Sequence, residues 1–167
     1  MKRFLFAALL AAWAAAPAQA ATGAGMFGEG RVQIGLLAGG GTAFNNSYTV
    51  LGAGVNYYVI DGLGLGLSYE HWSGTGPSIS KITPSVQYVF YQLGTVKPYL
   101  GAFYRRVTVS GQPDYNSVGG RAGVYIAAGS HAAFGVGYAE EKALNCQHSI
   151  YSSCTAGYAE ISAVVGF

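Results

Sequence analysis

Along most of the chain, apolar residues return at every second position. The final segment shows it best: Ala159, Ile161, Ala163, Val165 and Phe167 alternate with Tyr158, Glu160, Ser162, Val164 and Gly166. A period of two marks a strand with one apolar face. The pattern recurs between turn signals and predicts strands near residues 30–40, 48–60, 63–73, 80–92, 98–109, 116–128, 132–143 and 155–167. Most of these are far longer than the roughly five or six residues of a soluble strand. About 9–11 tilted residues suffice to cross a bilayer core. Long alternating strands in even number predict an all-β chain folded as an eight-stranded antiparallel up-and-down transmembrane β-barrel.

The connections alternate as well. Ile60–Leu63, Leu93–Lys97 and Gly129–His131 read as tight turns, while Gly41–Ser47, Ser73–Ile79, Ser110–Tyr115 and Leu144–Cys154 are longer and polar. Short periplasmic turns and longer outer loops are the asymmetry expected of such barrels.

The first residues follow a different rule. Lys2 and Arg3 precede an apolar run from Phe4 to Ala16, and Pro17-Ala18-Gln19-Ala20 supplies small residues at a cleavage site. This predicts a signal peptide over residues 1–20 and a barrel domain over 21–167. The run is too short for a retained helical anchor, which needs about 20 residues. Without Lys2 and Arg3, basic and acidic residues balance at seven each. A neutral mature chain excludes electrostatic recognition of nucleic acid.

Export also bears on the two cysteines. Cys146 and Cys154 lie in the last loop and are expected to form a disulfide. A ring of that size contributes roughly 2–3 kcal/mol if unstrained. The loop they would brace carries Gln147, His148 and Tyr151, candidates for an external contact.

Few residues offer catalytic or ligating chemistry. His71-x-Ser73 beside Glu70 has the elements of a nucleophile, base and orienting acid. Alternation, however, puts His71 on the outward face with Leu65, Leu67 and Tyr69, and Glu70 on the inward one. His131 falls in a turn and His148 in a loop, so no metal ligands converge. Neither a metal nor a cofactor is expected, nor an enzyme.

Inward positions are unusually informative. Glycines 52, 54, 64, 66, 119, 123, 135 and 137 face the lumen and leave room for Tyr48, Tyr58, Tyr91, Tyr104, Tyr125 and Tyr158. Arg105-Arg106 must send one arginine inward. The expectation is Arg106, in register with Leu100, Ala102 and Tyr104, leaving Arg105 to snorkel at the lipid-side rim. Of Glu140 and Glu141, Glu141 is expected inside. Glu70, Arg106, Arg121, Glu141 and Glu160 then share one level to within roughly 5 Å at about 3.3 Å per residue. Charges in a filled interior must pair. A salt-bridge cluster plugging the lumen is therefore predicted, with both arginines among the glutamates and Lys81 capping it. Pro84, inside strand four, predicts a bulge.

Aromatic residues complete the picture: Tyr57, Phe90, Tyr99, Phe134 and Phe167 for an inner girdle, Tyr69 and Tyr138 for an outer one. With the terminal "AVVGF", the "YYVIDGLGLGLSYE" hairpin and the "ITPSVQYVF" strand, the chain resembles the small outer-membrane barrels typified by the OmpA transmembrane domain, OmpX and the opacity-type proteins. The resemblance implies location in the outer membrane of a Gram-negative cell, in contact with lipopolysaccharide. It implies that Phe167 is the assembly signal read by periplasmic chaperones and the insertion machinery. It also implies a monomer, and no peptidoglycan-binding domain is expected after Phe167. The function expected is structural or surface-interacting. The alternatives are a narrow channel or carrier for small solutes and, further off, a lipid A-modifying enzyme like the deacylases that carry a His-x-Ser pair.

Overall fold

Eight antiparallel strands pair in chain order and close on themselves: β1 (Val32–Ala43), β2 (Asn46–Ile60), β3 (Leu63–Gly74), β4 (Ile79–Val89), β5 (Val96–Val109), β6 (Tyr115–Ala127), β7 (Ala132–Leu144) and β8 (Thr155–Gly166). The structure is a computed structural model that describes residues 24–43, 46–144 and 154–167. The expected signal peptide and Cys146 lie outside the described residues, as do Gln147, His148 and Tyr151. Closure leaves no free sheet edge around most of the wall, which is what backbone in lipid requires. Phe167 takes part in it: its amide donates to the Val32 carbonyl at 2.9 Å, and the Val32 amide donates back at 3.3 Å.

Outside β5, alternation sorts the side chains as the sequence predicts. Leu36, Leu51, Leu65, Leu67, Val136 and Ile161 stand exposed on the outer wall, with the rings of Phe90, Phe134 and Phe167 at one end and those of Tyr69 and Tyr138 higher up. A continuous exposed apolar belt is untenable in water and suited to hydrocarbon. Inside, the glycines make room for rings. Gly119 pairs with Phe103 and Gly123 with Tyr99, so each bulky β5 residue faces a β6 residue without a side chain. A Cβ on Gly123 would come within 2.7 Å of the Tyr99 hydroxyl.

That matching reverses the register expected for β5. Tyr99, Phe103, Arg105 and Val107 point inward and are buried, whereas Leu100 and Tyr104 are exposed. Tyr99 is therefore no girdle residue, and Tyr104 fills no lumen. Pro84 also differs from expectation. It pairs with Leu67 of β3 without a register shift, and the β4–β5 ladder lapses between Ile82–Arg106 and Ser85–Phe103, then resumes in the same register. A missing N–H is absorbed by a gap, with no bulge. The register shift that does occur lies between Tyr58 and Ile60 in the β2–β3 ladder.

The ends of the barrel are filled differently. At the end where Ala24 and Phe167 lie, a 3-10 turn (Gly25–Phe27) inserts Met26 and Phe27 among Tyr58, Val89, Tyr99 and Tyr125. Phe27 meets Tyr58 edge-on at 5.8 Å, and its carbonyl accepts from Gly62, whose φ of 81° closes the Asp61-Gly62 turn. At the loop end, Tyr48, Val50, Trp72, Ile79, Val107 and Val109 form a second apolar cluster. The loop asymmetry is weaker than expected. β1 and β2 extend to within two residues of each other, while residues 90–95 at the terminal end make a longer connection.

Candidate functional site

Between the two apolar clusters the lumen is polar, and its upper half is organised by one residue. Arg105 is fully buried. Its Nη2 donates to Glu70 Oε1 at 2.8 Å, its Nη1 to Glu141 Oε2 at 2.9 Å and to the Tyr158 hydroxyl, and its Nε to Thr83 Oγ1 at 2.8 Å. Strands β3, β4, β7 and β8 are thus tied to β5 through one guanidinium, whose planar donor fork suits carboxylates on two sides.

The carboxylates are satisfied in turn. Glu141 Oε1 accepts from Lys81 Nζ at 3.1 Å and its Oε2 from Ser117 Oγ at 3.0 Å, while Glu70 Oε2 accepts from Trp72 Nε1 at 3.3 Å. Lys81 also sits 3.8 Å above the Trp72 ring. Two cations against two carboxylates, each with a further polar or aromatic contact, meet the condition under which buried charge is tolerable.

Of the residues expected in the cluster, Glu70 and Glu141 are present, and Lys81 caps it. Arg106 is not. It is exposed on the outer wall and pairs with Asp114 at 2.9 Å. Its immediate neighbour Arg105 takes the central place. Arg121 and Glu160 do face the lumen, but as a separate lower pair with Nη1 and Oε2 3.8 Å apart. The expected arrangement of arginines among glutamates is replaced by Phe103 between two guanidiniums, 4.6 Å from Arg105 and 5.0 Å from Arg121. Thr83, Trp72, Ser117 and Phe103 escaped the sequence reading; polar or aromatic residues on the inward register of strands facing Glu70 and Glu141 were the available signal.

Beside the lower pair is a chamber of about 100 Å³. Gln33, Asn56, Ser68, Ser162, Arg121 and Glu160 line it. Gln87 donates to the Tyr58 hydroxyl and Tyr58 to Gln33 Oε1, both at 3.3 Å, which orients the Gln33 amide. Gln33 Nε2, Asn56 Nδ2, Glu160 Oε1 and Arg121 Nε and Nη2 are buried with no protein partner.

The His-x-Ser pair does not assemble. His71 lies on the outer wall, and its Nδ1 is 3.2 Å from Ser80 Oγ, not bonded to Ser73; Tyr69 shares the same Ser80 hydroxyl at 3.1 Å. Glu70 is on the opposite face of the wall, bonded to Arg105.

No family model and no curated protein matches the chain by sequence. Solved structures do match by shape. The N-terminal β-barrel domain of Pseudomonas aeruginosa OprF superposes with a TM-score of 0.61 at 15% identity, covering 84% of this chain and 99% of that one. Neisserial surface protein A gives 0.59 at 19% identity, covering 81% and 94%. A de novo designed transmembrane β-barrel gives 0.54 at 15%, covering 83% and 97%. A designed barrel among the neighbours underlines that such a shape assigns no activity by itself. The chain has the fold of the small eight-stranded membrane barrels.

Proposed function

We propose that this chain is an integral outer-membrane protein of a Gram-negative cell, with a structural or surface-interaction role and no through-pore. The observation that carries the reading is the Arg105 cluster, which fills the lumen from wall to wall with paired charge. Apolar clusters above and below it add two further barriers. The exposed apolar belt supports the membrane placement. In this reading the lipid-side partner is lipopolysaccharide and Phe167 is the signal for the insertion machinery. The reading includes no enzymatic activity, because His71 is bonded to Ser80 rather than Ser73 and Glu70, across the wall, is bonded to Arg105.

Planar-bilayer recording of the purified barrel tests it. The expected result is a baseline trace without discrete steps. Reproducible unitary conductance would overturn the plugged lumen in favour of the channel or carrier, the reading that the polar chamber below the cluster favours.

A further inference from the structure

The ladder that closes the barrel stops halfway. β1 and β8 pair from Gln33–Gly166 to Ala38–Ile161. Continued in that register, Ala43 would face Ala156, so both strands are long enough to go on. Among the described residues no pairing joins them beyond Ala38. Each keeps its strand conformation from its other neighbour: β1 pairs with β2 as far as Ala43–Asn46, and β8 with β7 as far as Thr155–Lys142. At the foot of the split the strands are still adjacent, since a Cβ on Gly39 would lie 3.8 Å from the Ala159 carbonyl oxygen. The split begins about level with Tyr138, which pairs with Ala159 at the outer ring of aromatics. Unpaired backbone there faces headgroups and water rather than hydrocarbon, where it would cost several kcal/mol per group.

The second observation is what lies behind the seam. The chamber is walled by Gln33, Gly35 and Leu37 of β1 and by Glu160, Ser162 and Val164 of β8, so its upper edge meets the foot of the split. The apolar clusters block both ends, and the Arg105 cluster lies above. The side is the remaining short path outward. Its volume of about 100 Å³ holds several waters, each needing about 10–15 Å³. Buried polar atoms without protein partners surround it, and such atoms are normally satisfied by water or a solute. Its walls offer amides, hydroxyls and one ion pair, so they favour neutral or zwitterionic hydrogen-bonding molecules over ions.

We propose that the upper β1–β8 seam is a side port through which water and small neutral or zwitterionic solutes reach the mid-lumen chamber from the outer interface. The chamber is a blind vestibule: solutes come and go by one route and do not cross the barrel. This is compatible with zero conductance, so it stands or falls separately from the plugged lumen.

The test uses Ser68→Cys, on the chamber wall away from the seam, in a Cys146→Ser, Cys154→Ser background. The rate of modification at position 68 by 2-hydroxyethyl methanethiosulfonate, a small uncharged thiol reagent, is measured in vesicles. Gly40→Cys and Ala159→Cys, both facing outward and opposite each other in the continued register, supply a lock. The expected result is at least a tenfold slower reaction after the lock is oxidised, reversed by reduction. An unchanged rate, or no reaction in the unlocked barrel, overturns the port. Where the variants do not give the heat-modifiable folded band, hydrogen exchange on the unaltered protein decides. Seam-facing amides of residues 39–43 should exchange at least a hundredfold faster than those of residues 34–38, and equal protection refutes the proposal.

Discussion

Arg105 and Arg121 both point into the lumen, both face glutamate, and both stack on Phe103, yet they are held very differently. Every nitrogen of Arg105 has a partner. Arg121 has a distant ion pair, Nη1 to Glu160 at 3.8 Å, while its Nε and Nη2 have no hydrogen-bond partner. The difference lies in the surroundings. Around Arg105, strands β3, β4, β7 and β8 present Glu70, Thr83, Glu141 and Tyr158 at one level. Around Arg121 the facing wall is glycine, and the space left over is the chamber. Pairing opposite charges is therefore insufficient for a tight core; the geometry must also occupy the donors that the ion pair leaves over.

The largest effect should come from Arg105→Ala. It strips Glu70 and Glu141 of their shared partner inside a packed lumen, and breaking a buried pair from one side costs about 3–5 kcal/mol. Arg105→Lys should recover little of it, because an ammonium cannot span two carboxylates as the fork does. Urea unfolding in micelles measures both. If Arg105→Ala destabilises the barrel no more than Arg121→Ala does, the contrast between the two sites is wrong.

How much of this contrast was legible in the sequence depends on the strand. On β7 the outward face is apolar from Ala132 to Tyr138, and on β8 from Ala159 to Phe167, which puts Glu141 and Glu160 inward, as the structure has them. On β5 both faces read as apolar: Leu100, Ala102 and Tyr104 on one, Tyr99, Phe103 and Val107 on the other. A strand's register slips by one when its two faces look alike. The choice of Arg106 followed from that slip. What decides the matter is non-local. Tyr99 and Phe103 need the gaps at Gly123 and Gly119, and these pairings appear only once β5 is set against β6. The chamber was foreshadowed only by the inward glycines. The split seam was not legible: Gly39-Gly40-Gly41 in β1 and Gly157 in β8 carry no alternation, and a glycine run by itself does not say which of a strand's two neighbours it fails to pair with.

Arg121→Ala is the intermediate case. Glu160 would lose its cation, but it borders a chamber that water can fill, so the expected loss is about 1–3 kcal/mol. A double-mutant cycle sharpens the comparison. Coupling between Arg121 and Glu160 should be smaller than coupling between Arg105 and Glu70, whose charged atoms are a full ångström closer, 2.8 against 3.8 Å. Equal couplings would mean that Arg121 and Glu160 close up in solution and that the chamber is smaller than it looks.

The smallest effect should come from the arginine next in sequence. Arg106 stands on the outer wall with its side chain 60% exposed, bonded to Asp114, which is 37% exposed. Thr108 donates to the same carboxylate at 3.4 Å, so Asp114 keeps a partner when Arg106 is removed. An ion pair in that setting contributes about 0–1 kcal/mol. It is also screened by salt, since the Debye length falls to about 3 Å at 1 M. Arg106→Ala should therefore leave unfolding in urea nearly unchanged, and whatever difference remains should vanish at high salt, where that of Arg105→Ala persists. The two variants differ by one position and change the same charge, so their ratio depends on which side of the wall each residue faces. A loss for Arg106→Ala comparable to that for Arg105→Ala would return β5 to the register its sequence pattern first suggests.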